Sequence, residues 1–235
     1  MTAGQWQALV AGGTSELGGE CVRRLRRDGA GVAFTGPDRE RGEALAIETG
    51  AVFIECDHRD RAAVDAALER ALSLCGGRLD LLVTCSDAPL RGSIEATGDD
   101  AFAELVERDL TSVFRVARAA MEAIGSAGGG SIVLVGSDAG IRAAHEVAAH
   151  SVTSAGVIAL AELLAAEGAP AGIRANAVCP PALSEQAPPS GRPVTGADVA
   201  AVVAWLASGE SAAITGATLR LDGAAGAALL ADTRA

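Results

Sequence analysis

The sequence predicts a single α/β domain over residues 1–235, built on a doubly wound, Rossmann-like parallel sheet. Three observations carry that expectation. The chain opens with an apolar run, a glycine turn and a helical stretch, the start of a βαβ unit. Strand-like and helix-like stretches then alternate to the end, the pattern of a parallel sheet with helices on both faces. At 235 residues and 49% apolar composition, the chain is long enough for one domain with a sizeable core.

Residues 6–11 read as a buried strand, Gly12, Gly13 and Thr14 as a turn, and residues 16–28 as a helix whose N-terminus is a ready anion site. Residues 31–35 form the second strand. Pro37-Asp38 opens the second helix, with proline early and a carboxylate in the first turn. Residues 51–55 are the third strand. Residues 60–75 are a helix with an apolar face through Ala63, Val64, Ala67, Leu68 and Leu72. Residues 79–85 are apolar almost throughout, a strand buried on both faces. Thr97-Gly98-Asp99-Asp100 has the form of a capping box and starts a long helix that ends in Gly128-Gly129-Gly130. Residues 131–135 are the fifth strand, and 146–167 a long alanine-rich helix. Residues 173–178 are the sixth strand, 180–193 a proline-rich loop, Thr195-Gly196-Ala197-Asp198 another helix cap, and 217–221 the last strand.

Composition excludes several functions. A net charge of −11 argues against nucleic acid and anionic membranes as partners. No apolar run approaches the ~18 residues of a membrane span, and no signal-peptide pattern opens the chain, so a cytoplasmic location is expected. Cys21, Cys56, Cys75, Cys85 and Cys179 are scattered without metal-ligand spacing, so no metal is expected. The chain has no tyrosine. It also lacks lysine, and its alanine and arginine content suggests a GC-rich bacterial genome.

The chain resembles the short-chain dehydrogenase/reductase family over nearly its full length. Ala11-Gly12-Gly13-Thr14-Ser15-Glu16-Leu17-Gly18 is similar to that family's Thr-Gly-x-x-x-Gly-x-Gly turn, with Glu16 at the middle glycine. Thr84-Cys85-Ser86-Asp87 stands where the family has Asn-Asn-Ala-Gly. Asp109 matches its catalytic asparagine and Ser137 its catalytic serine. His150-Ser151-Val152-Thr153-Ser154 stands where Tyr-x-x-x-Lys is usual. Asn176-Ala177-Val178-Cys179-Pro180, Ile214-Thr215-Gly216 and Leu221-Asp222-Gly223 match framework motifs. The loop at 180–196 is shorter than the family's helical lid. The resemblance implies Gly12, Thr14, Gly18 and Asp57 as the cofactor-binding residues, with Asp57 at an adenine contact.

Glu16 would bring a carboxylate to the pyrophosphate position and cap the helix itself. At ~4 Å and an effective dielectric of 20 the repulsion is ~4 kcal/mol. No nicotinamide cofactor is therefore expected, with NADP or NAD the alternative if the site still works. Gly12 and Gly18 then serve turn geometry alone. The resemblance brings His150, Ser137 and Asp109 to one cleft, a set suited to proton transfer, with Asp109 and Asp138 favouring a charged imidazolium. A non-redox acid/base enzyme acting on a small, mostly apolar metabolite by isomerisation, dehydration or cyclisation is the first reading. A catalytically silent subunit that supports an active relative is the second, and a residual NAD(P)-dependent oxidoreductase the third. Alternatively, His150 is a satisfied or surface residue and Asp109 a solvated helix residue. His145 is expected on a loop surface, His58 in solvent, and Cys85 at the cleft edge. Two long helices, with small residues at Ala148, Ala149, Ala155, Gly156 and Ala159, suggest a homodimer or tetramer, or pairing with a relative.

Overall fold

A computed structural model describes residues 6–86, 91–143, 145–181 and 188–226. Asp87 and the middle of the 180–193 loop lie outside the described residues. The elements in chain order are β1 (Gln7–Ala11), α1 (Glu16–Arg27), β2 (Gly31–Gly36), α2 (Arg39–Thr49), β3 (Val52–Glu55), α3 (Arg61–Leu74) and β4 (Leu81–Thr84). They continue with α4 (Asp99–Val106), α5 (Ser112–Ser126), β5 (Gly130–Val135), α6 (Ala148–Gly168), β6 (Ile173–Cys179), α7 (Gly196–Ala207) and β7 (Thr218–Arg220). The seven strands form one sheet in the order β3-β2-β1-β4-β5-β6-β7, and every pairing is parallel.

Alternation along each strand divides the core into two layers. In β1, Leu9 and Ala11 join the layer under α3, α5 and α6, whereas Ala8 and Val10 join the layer under α1 and α7. Both layers hold fully buried side chains, Leu82, Ile132 and Leu134 in one, Phe34, Val83 and Leu206 in the other. Such burial on both faces explains the near-continuous apolar runs of the central strands.

Two local expectations are corrected. The second helix starts at Arg39, with Asp38 as its N-cap accepting from Arg41 N at 3.0 Å, so Pro37 stays outside. Thr97 caps nothing: its hydroxyl donates to Ser93 O at 2.7 Å, and α4 starts from Gly98 without a side-chain cap. The capping box at Thr195 and Asp198 is present in full. Asn176, fully buried, ties β6 to the approach to β7, donating to Ile214 O and accepting from Ala217 N, both at 3.0 Å. Its place in the family motif is thus filled by a structural role.

Among the described residues one helix, spanning 148–171, is long and apolar enough by length and composition to cross a membrane, contrary to the expectation that no apolar run reaches that length. Its Val157, Leu160, Ala161 and Leu164 pack into the sheet core. The start of α6 has no side-chain cap. Instead Gly92 bridges to Val147, with Gly92 N donating to Glu146 O at 2.8 Å and Ala148 N donating to Gly92 O at 3.2 Å. Glu146 adopts φ 60°, a left-handed conformation uncommon outside glycine.

Candidate functional site

The carboxyl ends of β1, β2, β3 and β4 open on a cleft of about 200 Å³. Gly12, Thr14, Ser15, Pro37, Asp57 and His58 line one part of it. Thr84, Cys85, Arg108, Asp109, Ser112 and Val113 line the rest. Ligands of open α/β sheets sit in this position.

The glycine turn is built for close packing. Gly12 has φ 82°, and a Cβ there would fall 1.9 Å from the carbonyl oxygen of Cys85. A Cβ on Gly18 would fall 2.1 Å from Gly12 O, which keeps α1 tight against the turn. The cap of α1 is Ser15, whose hydroxyl accepts from Gly18 N at 3.1 Å and donates to Gly12 O at 2.7 Å. This corrects the expectation for Glu16: its side chain is exposed and makes no cap. A carboxylate that can turn into water is screened, so the repulsion reckoned for a fixed pair is an upper bound.

Asp57 lines the cleft, yet Arg59 engages it through Nε at 3.0 and 3.2 Å and Nη2 at 2.8 Å. The hydrogen bonds from Arg59 lower its pKa to about 2. His58 does not face solvent as expected. It turns toward β2, its Nε2 2.7 Å from the Thr35 hydroxyl, and burial lowers its pKa. Cys85 is buried, and its contact with Cys21 together with burial raises its pKa well above the usual thiol value. His145 is exposed, as expected.

The long helix read as one piece from the Thr97–Asp100 cap to Gly128-Gly129-Gly130 is interrupted by a π turn at Glu107–Thr111. The extra residue turns Asp109 inward. Asp109 is 3% exposed and is gripped by Arg108, Nε to Oδ1 at 2.8 Å and Nη2 to Oδ2 at 3.0 Å. It is therefore neither a solvated helix residue nor a free carboxylate. π turns inside helices are frequent at functional sites.

Ser137, two residues beyond β5, caps the short turn Asp138–Gly140, accepting from Ala139 N at 3.2 Å. That turn lies flat on α6, since a Cβ on Gly140 would fall 2.6 Å from Ala155 N. His150 and Ser154, both buried, lie on α6 one turn apart. Burial is the largest influence on His150 and lowers its pKa; Asp109 and Asp138 raise it, and Arg108 lowers it. Burial thus favours the neutral imidazole over the expected imidazolium. Its Nδ1 is buried with no hydrogen-bond partner among the described residues, and so is the hydroxyl of Thr84. Such orphans are uncommon and call for an explanation.

His150 and His58 have folded pKa values below 6.5, so beneath that pH the unfolded chain binds more protons than the folded one. Their contribution is complete above about pH 6.5 and is lost as pH falls toward the folded values. The urea midpoint is expected to fall between pH 7.5 and 5.5, and to fall less in His150→Gln. An equal fall in both proteins counts against a buried neutral His150.

Comparison with known proteins adds the deciding observation: the short chain dehydrogenase family model matches residues 7–188, most of the chain. The chain belongs to the short-chain dehydrogenase family. It is 32% identical over 241 residues to the trans-4-hydroxycyclohexanecarboxylate dehydrogenase of Sinomonas cyclohexanicum, covering 92% of this chain and 91% of that one. Its fold matches a 3-ketoacyl-(acyl-carrier-protein) reductase from Brucella melitensis complexed with NADH, with TM-score 0.87, 28% identity and coverage of 93% and 97%. It also matches a variant actinorhodin polyketide ketoreductase with NADPH, with TM-score 0.88, 29% identity and coverage of 96% and 98%.

These family members correct the first functional reading. They are dehydrogenases and reductases, and two hold NADH or NADPH, so a non-redox isomerase, dehydratase or cyclase has no support among them. Nor do they support the expectation of no cofactor. The sequence reading weighed the missing tyrosine and lysine, and the charge of Glu16, above the retained framework. It also missed Arg108 and His58. Arg108, a single cation within the acidic stretch Asp99–Asp109, was the available signal for the first.

Proposed function

We propose that this chain is an NAD(P)-dependent oxidoreductase acting on a small, mostly apolar carbonyl or hydroxyl compound, with His150 as its proton-handling group. One observation carries the reading: Nδ1 of His150 is buried and unpartnered on a helix packed against the Ser137 turn. In a family of dehydrogenases and reductases, that atom is suited to meet a substrate oxygen.

The residues present fit the adenosine end of a dinucleotide. Gly12 leaves its turn bare of side chain, and Thr14, Ser15 and Asp57 line the cleft beside it. A bound nicotinamide would supply or take up the hydride. A neutral imidazole carries a donor on one ring nitrogen and an acceptor on the other, so His150 can give a proton to an alkoxide or take one from an alcohol. Ser137 would orient the substrate oxygen. Asp109, held by Arg108, sets the field around the imidazole. Ser154 is uncharged and cannot take the electrostatic part of the family's lysine.

Fluorescence titration with NADH and NADPH tests the reading, with a micromolar dissociation constant expected for one of them. Glu16→Gly is expected to tighten it by roughly fivefold, the scale of one exposed charge. Absence of binding by either cofactor at millimolar concentration sinks the proposal.

A cytoplasmic, oligomeric protein fits the same reading. Phe114 on α5 and Val152 and Leu163 on α6 are 46%, 54% and 57% exposed. Of the small residues expected on that face, Ala155 and Ala159 are exposed, whereas Ala149 is turned inward and Gly156 packs on Leu110 within the chain. Sedimentation is expected to show a dimer or tetramer; a 23.4 kDa species at micromolar concentration rejects it.

A further inference from the structure

We propose that Arg108 is the positioning residue of His150: it holds both oxygens of Asp109, so that this buried carboxylate leaves Nδ1 of the imidazole open to a substrate oxygen. The inference rests on the reading of His150 as the proton-handling group. Three observations support it. The first is the π turn at Glu107–Thr111, which is fixed at three points. Glu107 pairs with Arg115, the Ser112 hydroxyl donates to Arg108 O, and Leu110 lies against α6, where a Cβ on Gly156 would fall 2.8 Å from its Cδ2. Arg108 and Asp109 therefore line the cleft from a turn docked on the helix of His150. The second is the grip itself. Nε of Arg108 meets Oδ1 and Nη2 meets Oδ2, a pairing that a guanidinium fork gives and an ammonium does not. The third is the unpartnered Nδ1 of His150. A buried ring nitrogen with a carboxylate for a neighbour ordinarily pairs with it. Here the carboxylate is already engaged.

Among the described residues, the charged groups that act on His150 come from two elements. The π turn brings Asp109 and Arg108, and the turn after Ser137 brings Asp138. α4 also packs on α6, but its Asp99, Asp100 and Glu104 are exposed to water, as is Glu146 ahead of α6. Cys179, at the end of β6, is a thiol whose pKa burial raises to about 12, so it brings no charge. Asp109 favours a protonated ring, and Arg108 opposes it. Removing the guanidinium therefore acts twice in one direction: it withdraws a repelling cation and releases a carboxylate to the ring. An imidazole paired with that carboxylate keeps its proton and has no open Nδ1 to offer.

NMR titration of the imidazoles in the full chain tests the proposal, with the His150 signal assigned by its loss in His150→Gln. The chain has 3 histidines, so the signals separate readily. Arg108→Gln is expected to raise the His150 midpoint by about one pH unit or more, the shift an opposite charge brings at close range. Arg108→Lys keeps the charge but frees one carboxylate oxygen, and a rise of about half a unit is expected. In Arg108→Gln combined with Asp109→Asn the midpoint is expected within about 0.3 unit of the wild type, since the pair leaves together. An unmoved or lowered midpoint in Arg108→Gln overturns the inference. So does a double variant whose midpoint stays as high as that of Arg108→Gln, because the carboxylate is then not the cause. Arg108→Gln strands a buried carboxylate; where it fails to fold, Arg108→Lys decides, and a midpoint at or below that of the wild type overturns the inference. The pH profile of kcat/KM for ketone reduction is expected to shift with the midpoint. A midpoint that moves while the profile stays fixed leaves the hold of Arg108 on Asp109 standing and removes His150 as the proton-handling group. An unmoved midpoint beside a large rate loss in His150→Phe removes this inference and leaves that reading.

Discussion

Replacing His150 by phenylalanine is expected to lower the rate of cofactor-dependent carbonyl reduction by about 10²–10⁴-fold, the usual contribution of a positioned acid or base. The site tolerates the change. His150 is buried, its Nδ1 has no partner to lose, and phenylalanine is close to it in shape. NADH affinity is expected to stay within about twofold, because the imidazole lies outside the residues lining the cleft. His150→Gln is expected to lose nearly as much rate, since an amide keeps polarity but does not shuttle a proton. Steady-state kinetics against a panel of small ketones, with either cofactor, measures this. A variant reducing the best ketone at wild-type rate rejects His150 as the proton-handling group.

The second large effect is on stability. Gly12→Ala places a methyl group where φ is 82° and where the Cys85 carbonyl oxygen lies 1.9 Å away. The left-handed conformation costs alanine ~1–2 kcal/mol. Shifting a backbone carbonyl adds ~1–3 kcal/mol of overpacking strain. The sum, roughly 3 kcal/mol, corresponds to a melting temperature lower by about 10 °C for a chain of this size. Cofactor affinity is expected to fall as well, because the displaced segment borders the cleft. An unchanged melting temperature would show that the turn relaxes without cost.

Much of the framework is legible in the amino-acid order because it rests on short-range signals. The strand, turn and helix around Gly12 and the cap at Thr195-Asp198 are each written in a few neighbouring residues. Thr97 was misread because its hydroxyl had a competing acceptor at Ser93, which spacing does not reveal. The site was less legible for a related reason. Whether Asp109 faces water or the cleft depends on one extra residue in a helical turn, and periodicity assumes a constant turn. His58 turned inward because Thr35, 23 residues earlier, stands beside it in the folded sheet. The charge of His150 was misjudged by counting nearby carboxylates. One of them, Asp109, is already neutralised by Arg108, and burial then decides.

The bridge between Gly92 and Val147 has a mechanical consequence. The first turn of α6, which carries His150, is fastened by Ala148 N to Gly92 O and not by a cap of its own. Gly92 belongs to the connection that leaves β4 beside Thr84 and Cys85. The first turn of α6 and the segment at Gly92 thus share one backbone clasp, Gly92 N to Glu146 O and Ala148 N to Gly92 O, closed across the left-handed Glu146.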